Sequence, residues 1–193
     1  MGGLSTADLV GAATDRGHNM TTSSGLPFWP SSPTPPDVRI KDIANHLSRL
    51  CRFNGALRDG VAIYSVAQHS VLVSWNVPPE FVLEGLLHDA AEAYIGDRIK
   101  PLKVMMPGYD AFEDQIERVI RARFGLLPHK PQAVKDADYR AVLTERRDVL
   151  PVNMDVDWGK PEALPWPAKI TPWDVFSARA IFLERFEELY SGK

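Results

Sequence analysis

The chain reads as an all-α protein. Apolar residues recur at helical spacing in several separate stretches, capping residues stand at their starts, and glycines or prolines punctuate their ends. The clearest stretch is Ile40, Ile43, Ala44, Leu47, Leu50 and Cys51, which share one face. It predicts a first helix ending near Asn54-Gly55. Ser65-Val66-Ala67-Gln68 has the capping-box pattern and opens a second helix, with His69 near its first turn. Pro78-Pro79-Glu80 starts a third, which Gly96 stops. A fourth runs from about Tyr109 to Phe124 before Gly125, and a fifth from Pro131 to about Val149. Thr171-Pro172-Trp173-Asp174 caps a last helix that ends near Tyr190.

The segments between these helices are read by composition. Residues 1–20 lack periodicity and are expected to form a flexible tail. Residues 21–37 contain Pro27, Pro30, Pro33, Pro35 and Pro36 and predict an extended arm lying on the domain. Asp59-Gly60 before Val61-Ala62-Ile63-Tyr64 allows a short hairpin within residues 55–64. Residues 151–171 are punctuated by prolines and predict a long loop, which Trp158, Trp166 and Trp173 either pin down or turn into an interface. Residues 21–193 thus form one helical domain with an extended N-terminal arm.

Composition narrows the function. With 193 residues, 45% hydrophobic and 24% charged, the chain can bury a full core. A net charge of -3 argues against binding a nucleic-acid polymer, but local cations suffice for a small anionic substrate. Cys51 is the lone cysteine, so an intrachain disulfide is impossible, which fits a reducing cytoplasm. No apolar run approaches the ~20 residues of a membrane helix, and the start lacks the pattern of a signal peptide. Met1-Gly2-Gly3-Leu4-Ser5-Thr6 matches the loose myristoylation pattern, although a small-residue tail before Met20 is the plainer reading.

The chemistry centres on His88-Asp89 in the run Leu86-Leu87-His88-Asp89-Ala90-Ala91-Glu92. Adjacent His and Asp in an apolar helix are costly to bury unless a partner satisfies them, and a metal ion does so. His69 supplies a third imidazole-or-carboxylate group upstream, and Asp138 another downstream. Each alone is more simply a hydrogen-bonded or solvated helix residue. Together they offer two nitrogen and two oxygen ligands from separate helices to one divalent cation. That set leaves positions for water or substrate and is compatible with cobalt, manganese, zinc, iron or magnesium. Glu92 falls on the same stripe as His88 and Asp89, where it can orient water or move a proton, the alternative being a solvated glutamate. His129 is the sole further histidine between the His-Asp pair and Asp138. His46 reads as a structural or exposed histidine.

The order His69, His88-Asp89, Asp138 resembles the HD-domain metal phosphohydrolases. The wider stretch from His88 to Asp97, with Pro101 and Lys103, is similar to bacterial 5′-deoxynucleotidases and to phage dATP triphosphohydrolases. Leu47–Phe53, Ser65–Ser70 and Lys135–Asp138 fit further segments of that branch, so the resemblance spans about residues 38–150. It implies an HD-type helical bundle and an enzyme hydrolysing a deoxynucleotide at the α-phosphorus. Release of either phosphate or triphosphate is open. By the same resemblance Arg52 contacts phosphate, Phe53 lies near sugar or base, and Asp97 borders the substrate beside Glu92. Lys103 and Lys135 are candidate phosphate ligands; for each, a solvated surface role is the alternative. The resemblance implies a homo-oligomer, dimer or hexamer. Two other functions compete: a nucleotide-binding regulator without turnover, and a helical domain merely stabilised by metal.

Overall fold

A computed structural model describes residues 15–152 and 163–190. As expected, the described chain is mostly helical. Its central rod is α2 (Val66–Trp75), buried from Val66 through Val71 and again at Val73 and Ser74. Helices α1 (Ile40–Leu47), α3 (Val82–Leu87), α7 (Gln132–Asp148) and α8 (Val175–Leu189) surround it. Two short helices, α4 (Glu92–Ile95) and α5 (Lys100–Val104), lead into the long α6 (Tyr109–Phe124). Ile43, Ala44 and Leu47 of α1 meet Val66, Ala67, Val71, Leu86, Ile116 and Phe182 in the main core. Among the described residues, no helix is long and apolar enough to cross a membrane.

Local chemistry sets these boundaries. Ser65 Oγ accepts the Gln68 amide at 3.2 Å, the capping contact expected from sequence. The Gln68 side chain does not close the box. It donates to Thr171 O at 2.8 Å and accepts from the Trp173 amide at 2.9 Å, which ties the loop before α8 to α2. Asp174 then caps α8 by accepting from the amides of Phe176 and Ser177. Gly125, at φ 67, ends α6 in the left-handed region that glycine enters without a Cβ clash. Trp166 is buried against Val73, Val134 and Ala141, and Trp173 meets Trp75 edge-on at 5.8 Å. Both aromatics therefore pin the loop; Trp158 lies outside the described residues.

Four expectations change. The first helix stops at Leu47 because the chain turns to pair with the segment before α2: Arg52 N donates to Tyr64 O and Val66 N to Leu50 O. The hairpin expected in residues 55–64 is not there. Arg58 N donates to Val149 O at the end of α7, and the bonds within the segment, Leu57 N to Gly55 O and Val61 N to Arg58 O, are turns and not a strand ladder. The hairpin among the described residues lies in the arm, where β1 (Met20–Thr21) pairs antiparallel with β2 (Pro27–Phe28). The third helix is interrupted: α3 ends at Leu87, and His88–Ala91 forms a tight turn before α4. Residues 15–20 of the expected tail also make defined contacts, with Arg16 ion-paired to Asp37 and its guanidinium over Trp29.

The arm is held by buried polar groups. Asp42 of α1 accepts from Ser23 Oγ at 2.7 Å, Ser24 N at 2.7 Å and Ser24 Oγ at 2.9 Å. His46 bonds Ala93 O through Nδ1 and the Ser23 amide through Nε2, clasping the arm to α4. Phe28 stacks on Tyr94 with ring centroids 3.8 Å apart. Burial raises the Asp42 pKa, but the seryl donors outweigh it and hold the carboxyl below its ordinary value. A depressed carboxyl stabilises the fold above its unfolded pKa and loses that contribution as pH falls through its folded value. Asp42→Asn is therefore expected to cost about 2 kcal/mol at pH 7 in urea unfolding. The gap from wild type should close below about pH 4; a gap unchanged to about pH 2.5 means the charge is not its source.

Candidate metal centre

Three parts of the fold converge beside the middle of α2. His69 projects from α2, His88 and Asp89 from the turn after α3, and Asp138 from α7. The two Nε2 atoms lie 3.2 Å apart. Asp89 Oδ2 is 3.4 Å from His69 Nε2 and 3.1 Å from His88 Nε2. Asp138 Oδ1 is 3.2 Å from His69 Nε2 and 3.8 Å from His88 Nε2. His69, His88 and Asp138 each offer a ligand atom, all within 4.8 Å of one another, and these three residues could hold a metal ion. Asp89 adds a carboxylate oxygen beside both imidazoles.

The far side of each ring explains why Nε2 faces inward. His88 Nδ1 donates to Gly85 O at 2.8 Å, and His69 Nδ1 bonds Glu145 Oε1 at 2.6 Å. With Nδ1 engaged, a neutral imidazole presents its Nε2 lone pair to the cluster. The electrostatics favour positive charge there. Burial opposes charge on both imidazoles and Arg52 further opposes it on His69, yet the carboxylates of Glu145, Asp138 and Asp89 raise His69 well above its usual pKa. Asp89 and Asp138 likewise raise His88. Burial pushes Asp89 and Asp138 up, but the imidazoles hold both carboxyls below the ordinary range. Two nitrogen and two oxygen donors fit a divalent cation of the borderline or hard class.

Other expected residues fall around this cluster. Arg52 is buried, with Nη1 3.8 Å from Asp89 and 3.7 Å from Asp97. Phe53 follows it at φ 57, and the guanidinium lies 5.2 Å from its ring centroid. Glu92 is buried, and its Oε2 has no hydrogen-bond partner among the described residues. Burial first, then the neighbouring charges of Asp89 and Asp97, raise its pKa well above the ordinary value. Burial raises Asp97 as well, against the pull of Arg52. Lys103 is not drawn into the ligand cluster: its Nζ pairs with both oxygens of Glu113 at 2.8 and 2.9 Å. Lys135 is exposed on the wall of a cavity of about 650 Å³ that Asp138 also lines. His129, Lys130 and Arg118 line that cavity too.

Two residues escaped the sequence reading. Lys130 reaches 3.7 Å from Asp89 Oδ1 and 3.8 Å from Glu117, but it sits in a proline-bounded loop that carries no periodic signal. Glu145 stands seven residues after Asp138 on α7, so the two share a helix face two turns apart. That spacing was available, yet nothing in one dimension distinguishes a buried Glu145 from the many solvated glutamates.

No protein-family model matches the chain. It is similar to the uncharacterized protein YfdR of Escherichia coli, 42% identical over 170 residues, which covers 87% of this chain and 93% of that one. It is also similar to an uncharacterized protein of Rhodobacter capsulatus, 34% identical over 145 residues, 67% of this chain and 74% of that relative.

The geometry predicts that cobalt at a hundredfold excess over its Kd stabilises the protein by about 2.7 kcal/mol, read as a rise in Tm. Asp138→Ala should abolish the shift. Because the imidazoles hold protons above their usual pKa, a metal must displace them, so cobalt affinity should keep climbing above pH 6.5. Affinity that is flat with pH, or a full shift in the variant, excludes these ligands.

Proposed function

We propose that this chain, which belongs to the family of Escherichia coli YfdR and its Rhodobacter capsulatus relative, is a metal-dependent phosphohydrolase of the HD-domain kind acting on deoxynucleotides. One observation carries the reading: two imidazoles and the Asp138 carboxylate offer atoms within 4.8 Å of one another, with Asp89 beside both imidazoles, at the edge of a cavity that Arg118, Arg121, Lys130 and Lys135 line together with Asp114 and Glu117. The cavity, about 650 Å³, lies within the ~300–1,000 Å³ typical of small-molecule sites.

His69, His88, Asp89 and Asp138 would hold the cation. When bound, it supplies a Lewis acid for a phosphoryl oxygen and lowers the pKa of water. The protein's own groups do the rest. Arg52 sits between Asp89 and Asp97 and offers its guanidinium to the phosphate, neutralising charge as it builds at phosphorus. Glu92, whose carboxyl burial raises above its ordinary value, serves as the acid for the leaving 5′-oxygen. Asp97 holds Arg52 in place by its ion pair. Lys130 and Lys135 present ammonium groups along the cavity for further phosphates, while Phe53 offers a ring for the sugar or base. Lys103 acts indirectly, through Glu113. The substrate is a free deoxynucleotide rather than a nucleic-acid polymer, and assembly into dimers or hexamers in the cytoplasm belongs to the same reading.

The test is an assay of each dNMP and dNTP with cobalt or manganese, scoring phosphate against tripolyphosphate. Turnover of at least one deoxynucleotide is expected; inactivity on all of them removes the proposal. Glu92→Gln should lower kcat by about 10²- to 10⁴-fold with cobalt affinity unchanged. Lys130→Ala and Lys135→Ala should each raise KM about tenfold, the loss of one charge-assisted hydrogen bond. Equal loss of cobalt affinity in these lysine variants would show that they act through the fold.

A further inference from the structure

Glu145 has no role in the chemistry above, yet it is completely buried. A carboxylate with no solvent is costly unless every lone pair is engaged. Three different groups engage this one. His69 Nδ1 lies 2.6 Å from Oε1, Tyr64 Oη donates to the same oxygen at 2.9 Å, and Arg52 Nη2 donates to Oε2 at 3.3 Å. Tyr64 and His69 are themselves completely buried, and the Arg52 side chain is only 10% exposed. Burial raises the Glu145 carboxyl, but Arg52 and His69 outweigh it and hold it down at about 2.

We infer that Glu145 is a positioning residue that ties a metal-ligating imidazole and the phosphate-facing guanidinium to one buried carboxylate. The inference rests on the proposed metal site. Oε1 fixes the His69 tautomer and ring angle, so Nε2 points into the cluster. Oε2 fixes one end of Arg52, whose Nη1 faces Asp89 and Asp97. The separation of the His69 imidazole from the Arg52 guanidinium is then set by the span of a single carboxylate rather than by two independent side chains. Tyr64 locks the carboxylate itself and ties it to the loop before α2. An aspartate is one methylene shorter and reaches only one of the two partners well. A glutamine keeps the shape but loses the charge and offers an N–H where an acceptor is needed.

Cobalt binding to wild type, Glu145→Gln and Glu145→Asp, followed by visible absorption, tests this. The glutamine variant should bind cobalt about 10- to 100-fold more weakly, with aspartate in between, while the metal-free chains melt within a few degrees of wild type. With cobalt bound, inhibition by inorganic phosphate should weaken in both variants by a similar factor. Glutamine affinity equal to wild type overturns the inference alone. Wild type that takes up no cobalt overturns the metal reading and this inference with it. Should the glutamine variant fail to fold, the zinc-loaded wild type decides. A His69 Nδ1 proton resonance shifted far downfield by a carboxylate acceptor supports the role, and its absence overturns it.

Discussion

The close crossing of α3 over α2 at Gly85 is the constraint on which the candidate site depends. A Cβ at Gly85 would lie 3.1 Å from Ser74 Cα and 3.1 Å from Val77 Cγ2. A side chain there is accommodated only if Ser74 and Val77 give by a few tenths of an ångström. Ser74 Oγ secures the same crossing by donating to Val82 O at 2.8 Å. The approach delivers His88, one turn later, against His69, and the Gly85 carbonyl that fits into the crossing also orients the His88 ring. The close approach at Gly85 and the bond from its carbonyl to the His88 ring lie on the same turn of α3.

Charge is then layered outward from that crossing. Glu145 lies between His69 and Arg52, Arg52 between Glu145 and the pair Asp89 and Asp97, and Lys130 between Asp89 and Glu117. Each buried ion has a neighbour of opposite sign, which is what makes burial tolerable. Glu84 and Arg121 repeat the device at 3.0 Å under the cavity, where Glu84 also accepts the Leu127 amide and fastens α6 to α3. Glu92 is buried near two other acids, and burial and the charges of Asp89 and Asp97 raise its carboxyl well above the ordinary value against the pull of Arg52 and Lys103.

Much of this was legible in the sequence. The spacing of Ile43, Ala44 and Leu47, the cap at Ser65 and the stop at Gly125 predict their elements because local chemistry decides them. His69, His88, Asp89 and Asp138 were legible as a set because buried polar residues on apolar helices need a common partner. What escaped was decided by contacts distant in sequence. Arg58 gives its amide to Val149, so the expected hairpin has no partner strand. Lys103 has an acid ten residues ahead, Glu113, that competes for it, whereas Lys130 is brought to Asp89 by the packing of a loop. Glu145 was invisible because its significance lies in Tyr64, His69 and Arg52, none of them near it in the chain.

The departures from regular geometry gather where the chemistry is proposed. Phe53 and Asn54 adopt φ 57 and 52, in a region that costs a side chain of order 1 kcal/mol or more. His88–Ala91 replaces the middle of an expected helix with a tight turn, in which Ala90 N donates to Leu87 O and Glu92 N to Asp89 O. Both irregularities have a geometric consequence. The left-handed turn reverses the chain directly after Arg52, leaving its guanidinium under the site while α1 and α2 keep their own axes. The i→i+3 bonds at His88–Ala91 wind the chain more tightly than an α-helix, and from this turn Asp89 Oδ2 lies 3.4 Å from His69 Nε2 and 3.1 Å from His88 Nε2. The fold gives up regularity at two short places, and those places carry Arg52, His88 and Asp89.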